Sequence, residues 1–162
     1  MASTVSASTL KVTITESITL NGSNQGATNT VSVSNVDEVF KRIITCPANN
    51  ETRIADFHSS VADATITPFD VQDVVYIRFT NKDDTNFITL TFRNQDNDEA
   101  AIKVDAGQSF ILNGDNANGM TAVLIATQDA DAASSANFGA LTNIQADADT
   151  ASCDLEVFVA CV

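Results

Sequence analysis

Val74-Val75-Tyr76-Ile77-Arg78-Phe79-Thr80-Asn81 and, after Lys82-Asp83-Asp84-Thr85-Asn86, the run Phe87-Ile88-Thr89-Leu90-Thr91-Phe92-Arg93 set the architecture of this chain. Apolar and polar residues alternate with period two in both runs, the spacing of strands that turn one face to a core. Val75, Ile77 and Phe79 form one apolar face, and Ile88, Leu90 and Phe92 form the other. The pair predicts a β-hairpin with an acidic tip. Further along, Asn94 to Asp98 is a second polar turn, after which Ala100, Ile102 and Val104 resume the alternation. Ser109 to Leu112, closed by Asn113-Gly114, reads as another strand, as does Met120 to Thr127. The chain closes on Leu155-Glu156-Val157-Phe158-Val159-Ala160-Cys161-Val162, a run apolar enough that it has to lie between neighbours rather than bare at a sheet edge.

Toward the N-terminus, Thr52 to Thr67 suggests two short strands around Ile54-Phe57 and Ala64-Thr67. Val36 to Cys46 reads as one long strand, apolar on both parities and so expected to be covered on both faces. Leu10, Val12, Ile14, Ile18 and Leu20 alternate with Lys, Thr and Ser up to Asn21-Gly22, whose residues accept a positive φ. The polar stretch from there to Thr30 reads as a loop before Val31-Ser32-Val33.

Short strands at this spacing, divided by Asn, Asp and Gly turns, predict an all-β fold: an antiparallel β-sandwich, a jelly roll among its forms, of roughly eight to ten strands. The expected core holds Ile77, Phe79, Ile88, Leu90, Phe92, Ile102, Val104, Leu155 and Val157. Residues 1–9, with only Val5 to bury, read as an N-terminal arm, flexible unless a partner binds it. Residues 10–162 then make a single β-sandwich domain. Within it 128–152, rich in Ala, Asp, Ser and Asn, reads as a long loop excursion in which a short helix from Asp129 is the competing form.

The chain has 162 residues, and 8 Lys plus Arg against 21 Asp plus Glu leave a net charge of −13. That excess of carboxylates excludes nucleic acid as a partner, because phosphate recognition rests on clustered cations. No apolar run reaches the ~18 residues of a membrane-spanning helix, and the first residues lack the basic start and apolar stretch of an export signal, so no membrane partner is expected.

Cys46, Cys153 and Cys161 are an odd number, which argues against a disulfide framework. Cys153 and Cys161 share parity with Leu155, Val157 and Val159 and read as buried small hydrophobes. On one strand they stand roughly 26 Å apart, beyond the reach of a disulfide. The single histidine, His58, has no nucleophile marked beside it, and the chain has no Trp and one Tyr for sugar stacking. No enzyme activity is expected, and no catalytic, cofactor-binding or metal-binding residue is assigned. Asp83-Asp84 and Asp96-Asn97-Asp98-Glu99 offer oxygen ligands but lack the EF-hand spacing, so they read as solvated turns.

One likeness is carried by ordered strands and turns: Leu10 to Gly22, Val36-Asp37-Glu38-Val39 with Arg42-Ile43, Tyr76 to Asn81 with Thr85-Asn86, Ala101-Ile102-Lys103-Val104-Asp105-Ala106-Gly107-Gln108-Ser109-Phe110, and Cys153-Asp154-Leu155-Glu156. Taken together, these segments resemble the small virion structural proteins of tailed phages, especially marine cyanophages. The resemblance implies a β-rich part of the particle, made in the host cytoplasm, which contacts capsid or tail subunits and other copies of itself. Acidity places it outside the DNA-filled cavity, as a capsid decoration or cement protein, with a tail, neck, fibre or host-recognition module as the alternative.

Overall fold

A computed structural model describes residues 5–58, 68–114, 118–121, 123–124 and 141–162. No helix occurs among them. The first strands are β1 (Ser8–Thr15), β2 (Thr19–Leu20), β3 (Ser23–Asn24), β4 (Thr28–Val36) and β5 (Glu38–Cys46). Then come β6 (Thr52–His58), β7 (Pro68–Asp70), β8 (Val74–Asn81), β9 (Ile88–Asn94) and β10 (Glu99–Val104). The last are β11 (Ser109–Asn113), β12 (Leu141–Ala148) and β13 (Cys153–Cys161).

Two sheets face each other as a sandwich. One runs β10-β9-β12-β6-β7 and the other β11-β8-β13-β5. Every pairing within them is antiparallel except β6 with β7. Period-two alternation puts Ile77, Phe79, Leu155, Val157 and Val159 on the inner face of the four-stranded sheet, and Phe57, Ile88, Leu90, Phe92 and Ile144 opposite them, while Ile54, of the other parity, joins the core where the β12–β6 register shifts beside it. All nine expected core residues pack here, with Ile102 half-buried at the margin. Each fully buried Leu, Ile or Phe contributes about 1.5–3 kcal/mol relative to exposure. As its apolar composition requires, β13 lies between β8 and β5.

Several local expectations are corrected. The runs now β8 and β9 do not form a hairpin, since they belong to opposite sheets and the chain turns a corner between them. Asn81 holds that corner: its amide donates to Asn86 O (2.8 Å) and Val104 O (3.2 Å), while the Asp83 carboxylate accepts the N–H groups of Thr85 (2.8 Å) and Asn86 (2.6 Å). The true hairpin is β9–β10, tipped by Asn97 at φ 64°. Val75 leaves the face of Ile77 and Phe79, because the β13–β8 register shifts between Ala160 and Cys161 and sends it to the other side of the sheet.

The long excursion is also overturned in part. Leu141–Ala148 is a strand, and it sits between β9 and β6. Only Leu141 and Ile144 advertise it. Its other inward positions are Ala146 and Ala148, small enough to hide the alternation. Thr52–His58 is one central strand. Of the strand expected from Met120 to Thr127, the described residues form turns and bends, Met120 being buried with its N–H donating to Val71 O (2.7 Å), and residues 122 and 125–127 lie outside the described residues. The second short strand at Ala64–Thr67 and the helix from Asp129 lie outside the described residues. The segment after Asn21-Gly22 is not a loop either. It returns as β3 and β4, pairing with β2 and β1 to make a hairpin arm that hydrogen-bonds to no strand of the sandwich among the described residues.

Candidate functional site

The arm leaves the sandwich where β4 becomes β5. Asn35 has φ 63°, and Asp37, the single residue between the two strands, donates its N–H to Cys161 O (3.2 Å). Cross-strand partners share a face, so Leu10 with Val33 and Val12 with Val31 form the arm's apolar side. The opposite side carries Thr13 and Thr30, whose hydroxyls lie 3.1 Å apart. At its base the arm covers the outer face of the four-stranded sheet: Val33 and Val36 pack with Val75, Tyr76 and Ala160, bordered by Leu10, Val12 and Phe158.

Further out this cover ends. Ile14, Ile18 and Leu20 are 50%, 54% and 59% exposed, and Val31 is 47% exposed. On the neighbouring outer face of β5, Val39 and Ile43 are 54% and 59% exposed. This corrects the expectation that β5 is covered on both sides. Its inner residues Phe40, Ile44 and Cys46 join the core, while Val39 and Ile43 on the outer face remain more than half exposed. With Val5, these are the exposed large apolar side chains among the described residues, and all seven fall within residues 5–43. Charge is distributed the other way. Lys11, Lys41 and Arg42 balance Glu16, Asp37 and Glu38, so residues 1–46 are neutral and the whole −13 belongs to 47–162.

Between β1 and the sheet lies a cleft of about 400 Å³, lined by Leu10 to Thr13 above and by Lys41, Tyr76, Arg78 and Phe158 below. Glu156 organises this floor. Its carboxylate accepts from Arg78 Nη2 at 2.6 Å and lies 3.3 Å from Lys41 Nζ. Burial works to raise its pKa, but the hydrogen bond and charge of Lys41, with those of Arg78, outweigh it and hold Glu156 below the usual glutamate value. The Arg78 guanidinium also lies 5.7 Å from the Phe158 ring, which meets Tyr76 edge-on at 6.0 Å. Arg78 Nε is buried without a hydrogen-bond partner.

The candidate residues read from the sequence are dispersed. His58 ends β6, its carbonyl accepting from Val71 N at 2.9 Å. Asp83 is engaged by the corner, and the Asn94 side chain accepts from the N–H groups of Asp96 (2.9 Å) and Asp98 (2.8 Å) in the β9–β10 turn. Among the described residues no group of three or more His, Cys, Asp or Glu is placed to hold a metal ion. Cys46 and Cys153 stand opposite each other across β5 and β13, a proximity that sequence distance conceals. Both are free thiols, as is Cys161. Burial, then neighbouring acids, pushes Cys161 up to about 12; burial, then Cys153 and acids, pushes Cys46 up to about 11.

No family model, curated protein or solved structure matches this chain. The arm and the outer face of β5 present exposed apolar side chains, a few cations and, among the described residues, strand edges without a partner strand. Sequence reasoning missed Val39 and Ile43 as surface residues. Their signal was present in the mixed parity of β5, which fits one bare apolar face as well as two buried ones.

Proposed function

We propose that this chain is a non-enzymatic structural subunit of a virion, an outward-facing capsid decoration or cement protein of a tailed phage, acting through contacts with neighbouring copies and other virion proteins. The observation that carries the reading is a segregation of surface character: among the described residues the exposed large apolar side chains fall within 5–43, while the net charge belongs to 47–162. A subunit clamped to a shell needs one sticky face and one solvated face, and a −13 chain suits a place outside a DNA-filled cavity. The resemblance to small virion proteins supplies the kind of particle. The mechanism would be mechanical, many weak contacts bridging joints between shell subunits.

Quantitative mass analysis of purified particles from a phage that encodes the chain tests this. On the order of hundreds of copies per particle, as a symmetric shell requires, is the expected result. A handful of copies would move the protein to the tail, neck or fibre, and complete absence from particles would end the structural reading.

A further inference from the structure

Two apolar surfaces on this chain lie uncovered, the distal arm with Ile14, Ile18 and Leu20 and the outer face of β5 with Val39 and Ile43. We infer that they cover each other between copies: the arm of one molecule lies across the β5 face of a second, and the exchange is returned. This rests on the structural-subunit reading and names the first partner as the chain itself.

Three observations favour a second copy over any other occupant. The first is electrostatic. Two molecules of charge −13 repel wherever residues 47–162 meet, while residues 1–46 are neutral, so the arm and β5 are the surfaces through which copies can approach without that cost. The second is reciprocity. Donor and acceptor surfaces are both apolar, both exposed and both on one chain, which is what a closed exchange between identical molecules requires. The third is the backbone. Among the described residues β1 pairs only with β4, and β5 only with β13, so each keeps an open edge. Neither strand contains proline, and although β1 carries Lys11 and a register shift at Ser8/Leu10 near its base, the arm beyond Lys11 has Glu16 as its one charge, so the distal part of its edge is left with few of the usual guards against pairing with another chain. The joint at Asn35 to Asp37, which leaves the arm attached through one covalent crossing and a small apolar base, lets the arm seat on a neighbour without disturbing either sheet.

The test uses full-length protein and two neutral variants, an arm variant (Ile18→Ser with Leu20→Ser) and a face variant (Ile43→Thr). Sedimentation of the unaltered protein should show reversible self-association. Each variant should keep the unaltered melting temperature and associate more weakly by roughly 30-fold or more. Mixing the two should restore a heteromeric species, since the face variant still donates an arm and the arm variant still offers a face. Separately, copies carrying Ile18→Cys and copies carrying Ile43→Cys should form a mixed disulfide on mild oxidation. Unaltered protein that stays monomeric at millimolar concentration overturns the exchange, as does full association by either variant or a mixture that stays monomeric. A monomer that still enters particles would overturn the exchange alone and leave the virion reading standing. Self-association by a chain absent from particles would do the reverse.

Discussion

Phe79, Leu90 and Phe92 show at single-residue scale how far the alternating pattern carries. Each is fully buried between the sheets, and replacing Leu90 or Phe92 with Ala should lower unfolding free energy by about 2–5 kcal/mol, read as a shift in denaturant midpoint. A loss below about half a kcal/mol at both would contradict their burial. The thiols give a second check. Burial and raised pKa values, about 11 for Cys46 and about 12 for Cys161, leave little thiolate at neutral pH. All three cysteines should resist a thiol reagent in the native state and react once the chain is unfolded in denaturant; fast labelling of native protein would contradict the packing. Glu156 supplies the pH dependence. Its folded pKa is depressed, so its contribution to stability is present above the ordinary glutamate value of 4.5 and is lost as pH falls through the lower folded value. Glu156→Gln should therefore destabilise the protein at neutral pH, and the two proteins should converge in stability below the folded pKa. Parity was legible at Ile77 or Leu155 because both neighbours along the strand obey it. It failed at Val75, where the register shift beside Ala160 turns one residue to the other face.

At the scale of elements, turns and strong alternation were readable, and partners were not. Asn21-Gly22 was marked by residue type and does turn the arm, with φ 50° and 79°. The segment beyond that turn resembled a loop because Ser23, Asn24, Thr28, Asn29 and Thr30 are polar. They form strands since an arm with one exposed face needs no apolar residue there. β12 was hidden for the opposite reason, since alanines suffice to fill a tight interior. The β8–β9 corner passed for a hairpin because both runs alternate in either case; the Asn81 and Asp83 hydrogen bonds choose the corner. The arm's independence gives a prediction. Removing residues 1–9 takes from β1 only Ser8, opposite Val36, and Thr9, so melting temperature should change by no more than a few degrees while attachment to assembled particles weakens. A collapse in melting temperature would show that the segment completes the fold, and equal attachment would remove its part in assembly.

For the whole molecule, the decisive property is where charge and apolar surface fall relative to each other. Repulsion between the acidic bodies of two copies is long-ranged and screened by salt over about 8 Å at physiological ionic strength, whereas apolar burial is not. Self-association through the arm should strengthen from low to moderate salt. Weakening with salt would mean that ion pairs, such as those around Glu156, hold copies together instead. The sequence alone pointed to an all-β sandwich, to nine of the residues in its core and to an interior β13, because period-two alternation and apolar content are local properties that any sandwich must satisfy. It also carried the charge division between 1–46 and 47–162. The tertiary structure settled which strand lies beside which, that β12 belongs to the core, and that Val39, Ile43 and the distal arm are left uncovered. Those depend on contacts between residues far apart in the chain, and a strand's own residues record that a face is apolar but not what, if anything, lies against it.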